Sequence, residues 1–86
     1  MQSREKDDKI FLCQLEELGC GLAYYRKKAG FTQKELADAV GISRQHLAAI
    51  ESPRMIRPFS VALLLRLADA LSVEPHELFL WIRPLS

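Results

Sequence analysis

The chain has 86 residues, of which 49% are hydrophobic and 27% charged, and its formal net charge is +1. That length supports one small hydrophobic core, so residues 1–86 are expected to form a single domain. No apolar run reaches the roughly 18 residues of a membrane span and no signal-peptide pattern is present, which excludes membrane and export classes and predicts a cytoplasmic protein.

The first predicted helix has an apolar face that favours a helix and two glycines that weaken it. Residues 1–8 are strongly charged and are expected to be frayed. Behind them, apolar residues alternate at spacings of four and three, which is one face of a helix: Phe11, Leu15, Leu18, Leu22, Tyr25 and Ala29. Gly19 and Gly21 weaken the interior of this helix, which leaves three alternatives: a continuous, a kinked or a split helix. We favour a continuous or slightly bent helix.

Two short helices joined by a tight turn are predicted between residues 32 and 51. Thr32 and Glu35 have the spacing of a capping box, so a helix begins directly after Thr32. Ser43 repeats the capping pattern and predicts a second helix from residue 44. Gly41 lies between them, where a chain leaving a helix turns through a left-handed conformation that only glycine adopts without penalty.

The last third of the chain predicts two more helices. Ser60 is a capping residue for the apolar helix VALLLRLADAL, whose inward face is expected to comprise Val61, Leu64, Leu65, Leu67, Ala68 and Leu71. Pro75 suits the first position of a short fifth helix that runs to Phe79 or Trp81. The terminal segment LFLWIRPL is apolar, and it either packs on its own core or forms a patch that pairs two subunits.

Five residues within the predicted helix-turn-helix resemble the pattern of the phage repressor and Cro (XRE) family: Gln33, Ala37, Gly41, Leu47 and Ile50. The resemblance implies an all-α, compact five-helix bundle of the lambda-repressor-like DNA-binding type, with the helix-turn-helix at 32–51. The family's first helix usually covers only about residues 18–29, so this chain has an N-terminally extended first helix. The loop after Glu51 is about two residues longer than is usual in the family.

The resemblance also implies a role for particular residues. The recognition helix, residues 44–51, would enter the major groove of DNA. Expected base contacts are Arg44, Gln45 and Ala49. Expected contacts to the DNA backbone are Gln33, Ser43 and His46, together with the loop residues Arg54 and Arg57, which either reach the backbone or are merely solvated. An internal ion pair joins Arg26 to Glu51, and a dimer interface includes Leu80, Trp81 and Ile82.

The charge distribution agrees with a DNA-binding role, although a solvated basic face is the other interpretation. Residues 26–57 contain seven basic and three acidic residues, a net charge of +4, while the flanking segments are acidic. No nucleophile motif, phosphate loop or metal-ligand spacing occurs, so we expect no enzyme, no metal and no cofactor. The chain is therefore expected to be a homodimeric transcriptional repressor that binds a palindromic operator in double-stranded DNA. The alternative is an antitoxin that binds a toxin, with DNA binding secondary.

Overall fold

The computed structural model describes residues 4–52 and 58–83, and side chains are described from residue 9 onward. Its helices follow in the order α1 (Arg4–Lys28), α2 (Gln33–Val40), α3 (Arg44–Glu51), α4 (Val61–Leu71) and α5 (Pro75–Phe79). The described residues form helices and connecting turns only, so the predicted all-α class is confirmed. None of the helices in these two stretches combines the length and apolarity that crossing a membrane requires.

Short-range capping fixes where the central helices begin. Thr32 Oγ1 accepts a hydrogen bond from the backbone N–H of Glu35 at 3.0 Å, and the Glu35 carboxylate accepts one from the backbone N–H of Thr32 at 2.8 Å. Ser43 and Ser60 cap α3 and α4 in the same way, through a single side-chain acceptor each. Because a capping side chain satisfies backbone donors that no helical carbonyl can reach, these residues set the helix starts.

One leucine from each helix is fully buried at the centre of the bundle. These side chains are Leu22, Leu36, Leu47, Leu67 and Leu78. Helix α3 packs against α1 and α2, α4 packs against α2, and α5 closes the bundle against α1 and α4. Each such leucine contributes about 1.5–3 kcal/mol of transfer free energy, so a core shared among all five helices is what holds the short ones in place.

Helix α1 is continuous through both of its glycines, and tertiary contacts explain why they are there. A Cβ atom at position 19 would meet the backbone carbonyl of Ile50, where α1 crosses the end of α3. A Cβ atom at position 21 would lie 2.7 Å from Cγ of Trp81. Glycine in this helix therefore permits close approach of a neighbouring backbone and of a packed indole ring.

The exposure of apolar side chains on α4 and α1 differs from what the sequence predicts. In α4, Val61 is 71% exposed and Leu65 48% exposed, while Leu63 is buried. The buried positions of this helix form adjacent pairs one turn apart, which turns Val61 and Leu65 to the outside. In α1, Phe11 is 57% exposed, because the first half of the helix extends past the bundle, and Ala29 lies beyond the end of the helix.

Candidate nucleic-acid interface

The first turn of α3 presents polar side chains to solvent. Its N-cap Ser43 accepts a hydrogen bond from the backbone N–H of His46 at 3.0 Å. Arg44 and Gln45 are exposed, and His46 and Ala49 are half-buried. On the opposite side of this helix Leu47 is buried in the core, so packing fixes which face the helix turns outward.

The start of α2 lies beside the first turn of α3. The side-chain amide of Gln33 donates from Nε2 to Oε1 of Glu51 at 3.0 Å. Its carbonyl oxygen faces α3, where Nη1 of Arg44 lies 3.5 Å away. Residues from α2 and from both ends of α3 are thus brought into one network.

A bidentate ion pair anchors this network in the protein interior. Arg26 donates from Nε to Oε2 of Glu51 at 2.8 Å and from Nη2 to Oε1 at 3.0 Å. It also donates from Nη1 to the backbone carbonyl of Phe31 at 2.8 Å, across the turn between α1 and α2. The two side chains are only 10% and 5% exposed. Removing one partner would leave a buried charge, which costs about 3–5 kcal/mol, so the pair fixes the end of α3 against α1.

A cleft of about 550 Å³ separates the first turn of α3 from that of α4. Its lining includes Ser43 and His46 on one side and Ser60 and Arg66 on the other. Arg66 is not among the site residues that the sequence predicts. The sequence shows only that Arg66 follows the capping residue Ser60 by about two helical turns. Its proximity to α3 becomes apparent only in the tertiary structure.

The remaining residues of the predicted site have different surroundings. Arg54 and Arg57 lie outside the described residues. Leu80 is 77% exposed, whereas Ile82 packs against the core. Trp81 is half-buried, with its ring centroid 5.3 Å from that of Tyr24. Within the described part of the chain, no group of three or more His, Cys, Asp or Glu side chains is arranged to hold a metal ion.

Comparison with known proteins places this geometry in context. A sequence model of the helix-turn-helix family matches residues 22–78, from the second half of α1 to α5. An uncharacterized HTH-type transcriptional regulator of Methanothermobacter thermautotrophicus is 44% identical over 55 residues, which cover 62% of this chain and 74% of the relative. The first half of α1 precedes the span that the family model matches.

Solved structures with the same fold include two named regulators. The clp gene regulator ClgR from Corynebacterium glutamicum is similar with a TM-score of 0.73 and 29% identity, over 79% of this chain and 85% of that one. The restriction-modification controller protein C.AhdI from Aeromonas hydrophila has a TM-score of 0.68 and 36% identity, over 74% of this chain and 94% of that one.

Proposed function

The chain belongs to the helix-turn-helix family of DNA-binding transcriptional regulators, and on that premise we propose that it is a cytoplasmic repressor that binds a palindromic operator as a homodimer. The observation that carries the proposal is the exposed first turn of α3, whose Arg44 and Gln45 project from a helix held by a buried ion pair. A helix fixed in this way retains one orientation relative to the bundle when it meets DNA.

Base reading in this proposal belongs to α3 in the major groove. Arg44 has the paired donors that match the two acceptors of guanine, and Gln45 has the donor and acceptor that match adenine. The methyl group of Ala49 packs against the methyl group of thymine one helical turn further on. Each bidentate pair contributes about 1–3 kcal/mol of discrimination against the wrong base.

Backbone contacts position the helix in the groove. Ser43 uses its oxygen to cap α3, and a hydroxyl that accepts a hydrogen bond still has a proton to donate to a phosphate. Gln33 has a second amide N–H at the start of α2, where backbone donors already favour an anion. His46 lines the cleft between α3 and α4 together with Ser43, and Arg54 and Arg57 complete the proposed set from outside the described residues.

The proposed dimer places two α3 helices about one turn of DNA apart, roughly 34–36 Å. Leu80, Trp81 and Ile82 are its proposed interface. Leu80 supports the assignment because an exposed leucine beside the exposed ring of Phe79 offers apolar area. Trp81 and Ile82 contribute what remains exposed after they have packed against their own subunit.

Selection of bound duplexes from a random DNA pool tests the operator. The enriched duplex and a scrambled one are then titrated at several salt concentrations with wild type and with Arg44→Ala plus Gln45→Ala. We expect an inverted repeat that wild type prefers at least a hundredfold, and loss of that preference in the double variant. The control is Lys9→Ala, which removes one exposed positive charge from the first half of α1 and should retain the preference. No enriched sequence, or a preference kept by the double variant, would refute base reading by α3.

Sedimentation over a range of concentrations tests the dimer separately. We expect a dimer that Leu80→Lys dissociates. The control Val61→Lys makes the same change at an apolar residue of similar exposure on α4, and should leave the dimer intact. A monomer that remains monomeric on its selected duplex would exclude the homodimer.

A second candidate function is binding of a protein partner, as in an antitoxin. It is supported by Phe11 and Leu12, which are 57% and 40% exposed in the part of α1 that precedes the family match. A defined complex with a second, co-expressed protein, lost in Phe11→Lys while DNA binding is retained, would favour this role. Unchanged complex formation in that variant would count against it.

A further inference from the structure

The first half of α1 has an apolar stripe that the other described residues leave largely exposed. Among the described side chains of this helix Leu18 is the first that is buried, and Leu15 and Phe11 precede it on the same face. Leu15 is half-buried, whereas Phe11 is 57% exposed and its neighbour Leu12 is 40% exposed. The stripe that faces the core in the second half of α1 therefore continues for about two turns beyond the core.

We call residues 9–16 of α1 the arm. The next residue, Glu17, is the first described side chain of the helix that binds another element, since it accepts a hydrogen bond from the backbone N–H of Arg83 at 3.0 Å. The match to the family model begins at residue 22, so the arm is a feature of this chain outside the matched span. Its eight residues of helix are about 12 Å long, which is enough for another helix to lie along them.

Two charges on one side of the arm fit a second copy of the arm. Lys9 and Glu16 are seven residues apart, so they lie on the same side of the helix, and both adjoin Leu12. In the part of the chain that the structure describes, neither side chain takes part in an ion pair. Two parallel arms would bring each of these charges against its own copy, whereas two antiparallel arms bring each Lys9 against Glu16 of the other copy. The charges are therefore self-complementary in the antiparallel orientation only.

The same orientation covers the apolar stripe. When Lys9 faces Glu16 of the second copy, the twofold axis passes close to Leu12. Leu12 then lies against Leu12 of the second copy, and Phe11 lies against its Leu15. One symmetric arrangement thus pairs both the charges and the apolar side chains.

The area of this contact indicates when it forms. The exposed part of Phe11 is about 100 Å², taken from the 150–250 Å² that an aromatic side chain buries. With Leu12 and part of Leu15 the stripe offers roughly 200–250 Å² per subunit, well below the roughly 800 Å² per partner of a stable interface. Such a contact does not hold two free molecules together, but it stabilises molecules that DNA already holds side by side at a high effective concentration.

We propose that the arm pairs with the arm of a second copy in the antiparallel orientation, and that this contact makes binding to neighbouring operators cooperative. The inference rests on the proposed operator function. It concerns the contact between two DNA-bound dimers and leaves the proposed interface within each dimer, which includes Leu80, unchanged. A single operator binds one dimer, so its affinity does not depend on the arm.

The first measurement needs no DNA. Leu12→Cys is combined with Cys13→Ser and Cys20→Ser, and disulfide formation between subunits is followed at millimolar protein concentration. The matched control keeps Leu12 and Cys13 and carries only Cys20→Ser. Cys13 is also exposed, but it lies about 100° further round the helix, away from the stripe. We expect Leu12→Cys to form covalent dimers at least about tenfold faster than the control, because residue 12 lies next to the twofold axis. Equal rates would indicate random collision and would overturn the pairing.

The second measurement uses DNA with two copies of the selected duplex, whose spacing is varied over one helical turn. At the best spacing we expect the second dimer to bind about tenfold more tightly than a dimer on a single site. Phe11→Lys should abolish this gain and keep the single-site affinity within about twofold. The control Val61→Lys makes the same change at an exposed apolar residue of α4 and should retain both. The helical content of each variant is measured first, so that folded proteins are compared. Equal binding to one and two sites at every spacing would overturn the proposal.

Charge reversal tests the register on the same DNA. Lys9→Glu alone, or Glu16→Lys alone, brings like charges together and should lower the cooperative gain about threefold. The two reversals combined restore opposite charges across the contact and should return the gain to the wild-type value. A combined variant that stays as weak as the single ones would overturn the antiparallel pairing.

Two further outcomes separate this proposal from the other functions. A complex with a different protein that requires Phe11, in the absence of any pairing of arms, would overturn the proposal and assign the stripe to that protein. If no duplex is selected from the random pool, the operator function fails, and the cross-linking of Leu12→Cys still decides whether two arms pair.

Discussion

Replacing Gly19 by alanine should destabilise the protein, although alanine is the better helix former. The added methyl group would meet the carbonyl oxygen of Ile50, with the carbonyl carbon 3.3 Å and Cα of Glu51 3.6 Å from it. All three atoms belong to the backbone of α3, so no side-chain rotation relieves the overlap. Helix α3 would have to move away from α1 at the residue that forms the buried ion pair.

The two contributions have opposite signs and can be compared. Helix propensity favours alanine over glycine by about 1 kcal/mol. Inserting a methyl group into a packed contact costs about 1–3 kcal/mol, and a rigid backbone obstacle places this site at the upper end. The net loss is about 1–2 kcal/mol, which lowers the melting temperature of a domain of this size by about 5–15 °C.

Thermal and urea denaturation followed by circular dichroism measure the effect. Gly21→Ala is the matched control, because its methyl group would lie 2.7 Å from the indole of Trp81, a side chain that can move. We expect it to melt near wild type and to change tryptophan fluorescence. If Gly19→Ala melts at or above the wild-type temperature, helix propensity outweighs the crossing of α1 and α3, and the explanation of Gly19 is wrong.

Three further changes test local features of the helices. Ser72→Gly should stabilise the protein by about 0.5–1 kcal/mol, because Ser72 ends α4 with φ of 58°, a left-handed conformation that glycine adopts without penalty. Thr32→Ala should destabilise it by about 1 kcal/mol, because the backbone N–H of Glu35 loses its acceptor. Lys34→Ala should change stability by less than about 0.5 kcal/mol, since its 3.0 Å pair with Asp38 is exposed on both sides.

The same denaturation measurements decide each case. A gain in Ser72→Ala equal to that in Ser72→Gly would show that the left-handed backbone is not the cause. An unchanged stability in Thr32→Ala would mean that the capping box does not hold the start of α2. A loss above about 1 kcal/mol in Lys34→Ala would mean that an exposed ion pair contributes more here than screening by water allows.

Local patterns in the sequence predicted most of the secondary structure. The starts of α2, α3 and α4 follow from Thr32, Ser43 and Ser60, because a cap and the backbone group it satisfies are three residues apart. Gly41 has the left-handed φ of 79° that its place between two helices requires. Interactions of such short range depend little on the rest of the fold, so they can be predicted from neighbouring residues.

Surfaces and long-range contacts were predicted less well. Val61 and Leu65 were expected inside, and both are exposed, because the phase of a nearly all-apolar helix cannot be deduced from its own sequence. The reason for Gly19 and Gly21 was missed, since the atoms that approach them belong to α3 and to the C-terminal segment. The ring contacts of Trp81 with Tyr24 and Tyr25 of the same chain were also missed, while its place at an interface between subunits stays a prediction.

The sequence by itself determined which residues form the helices, the family to which they belong and which side chains begin α3. The resemblance already implied the ion pair between Arg26 and Glu51, whereas only the tertiary structure joined Gln33 to the same carboxylate, over a separation of 18 residues. The physical reason is that capping and periodicity act within one or two turns. The direction of a hydrogen-bonded amide, by contrast, depends on which groups from other helices the packing of the core brings within 3 Å of it.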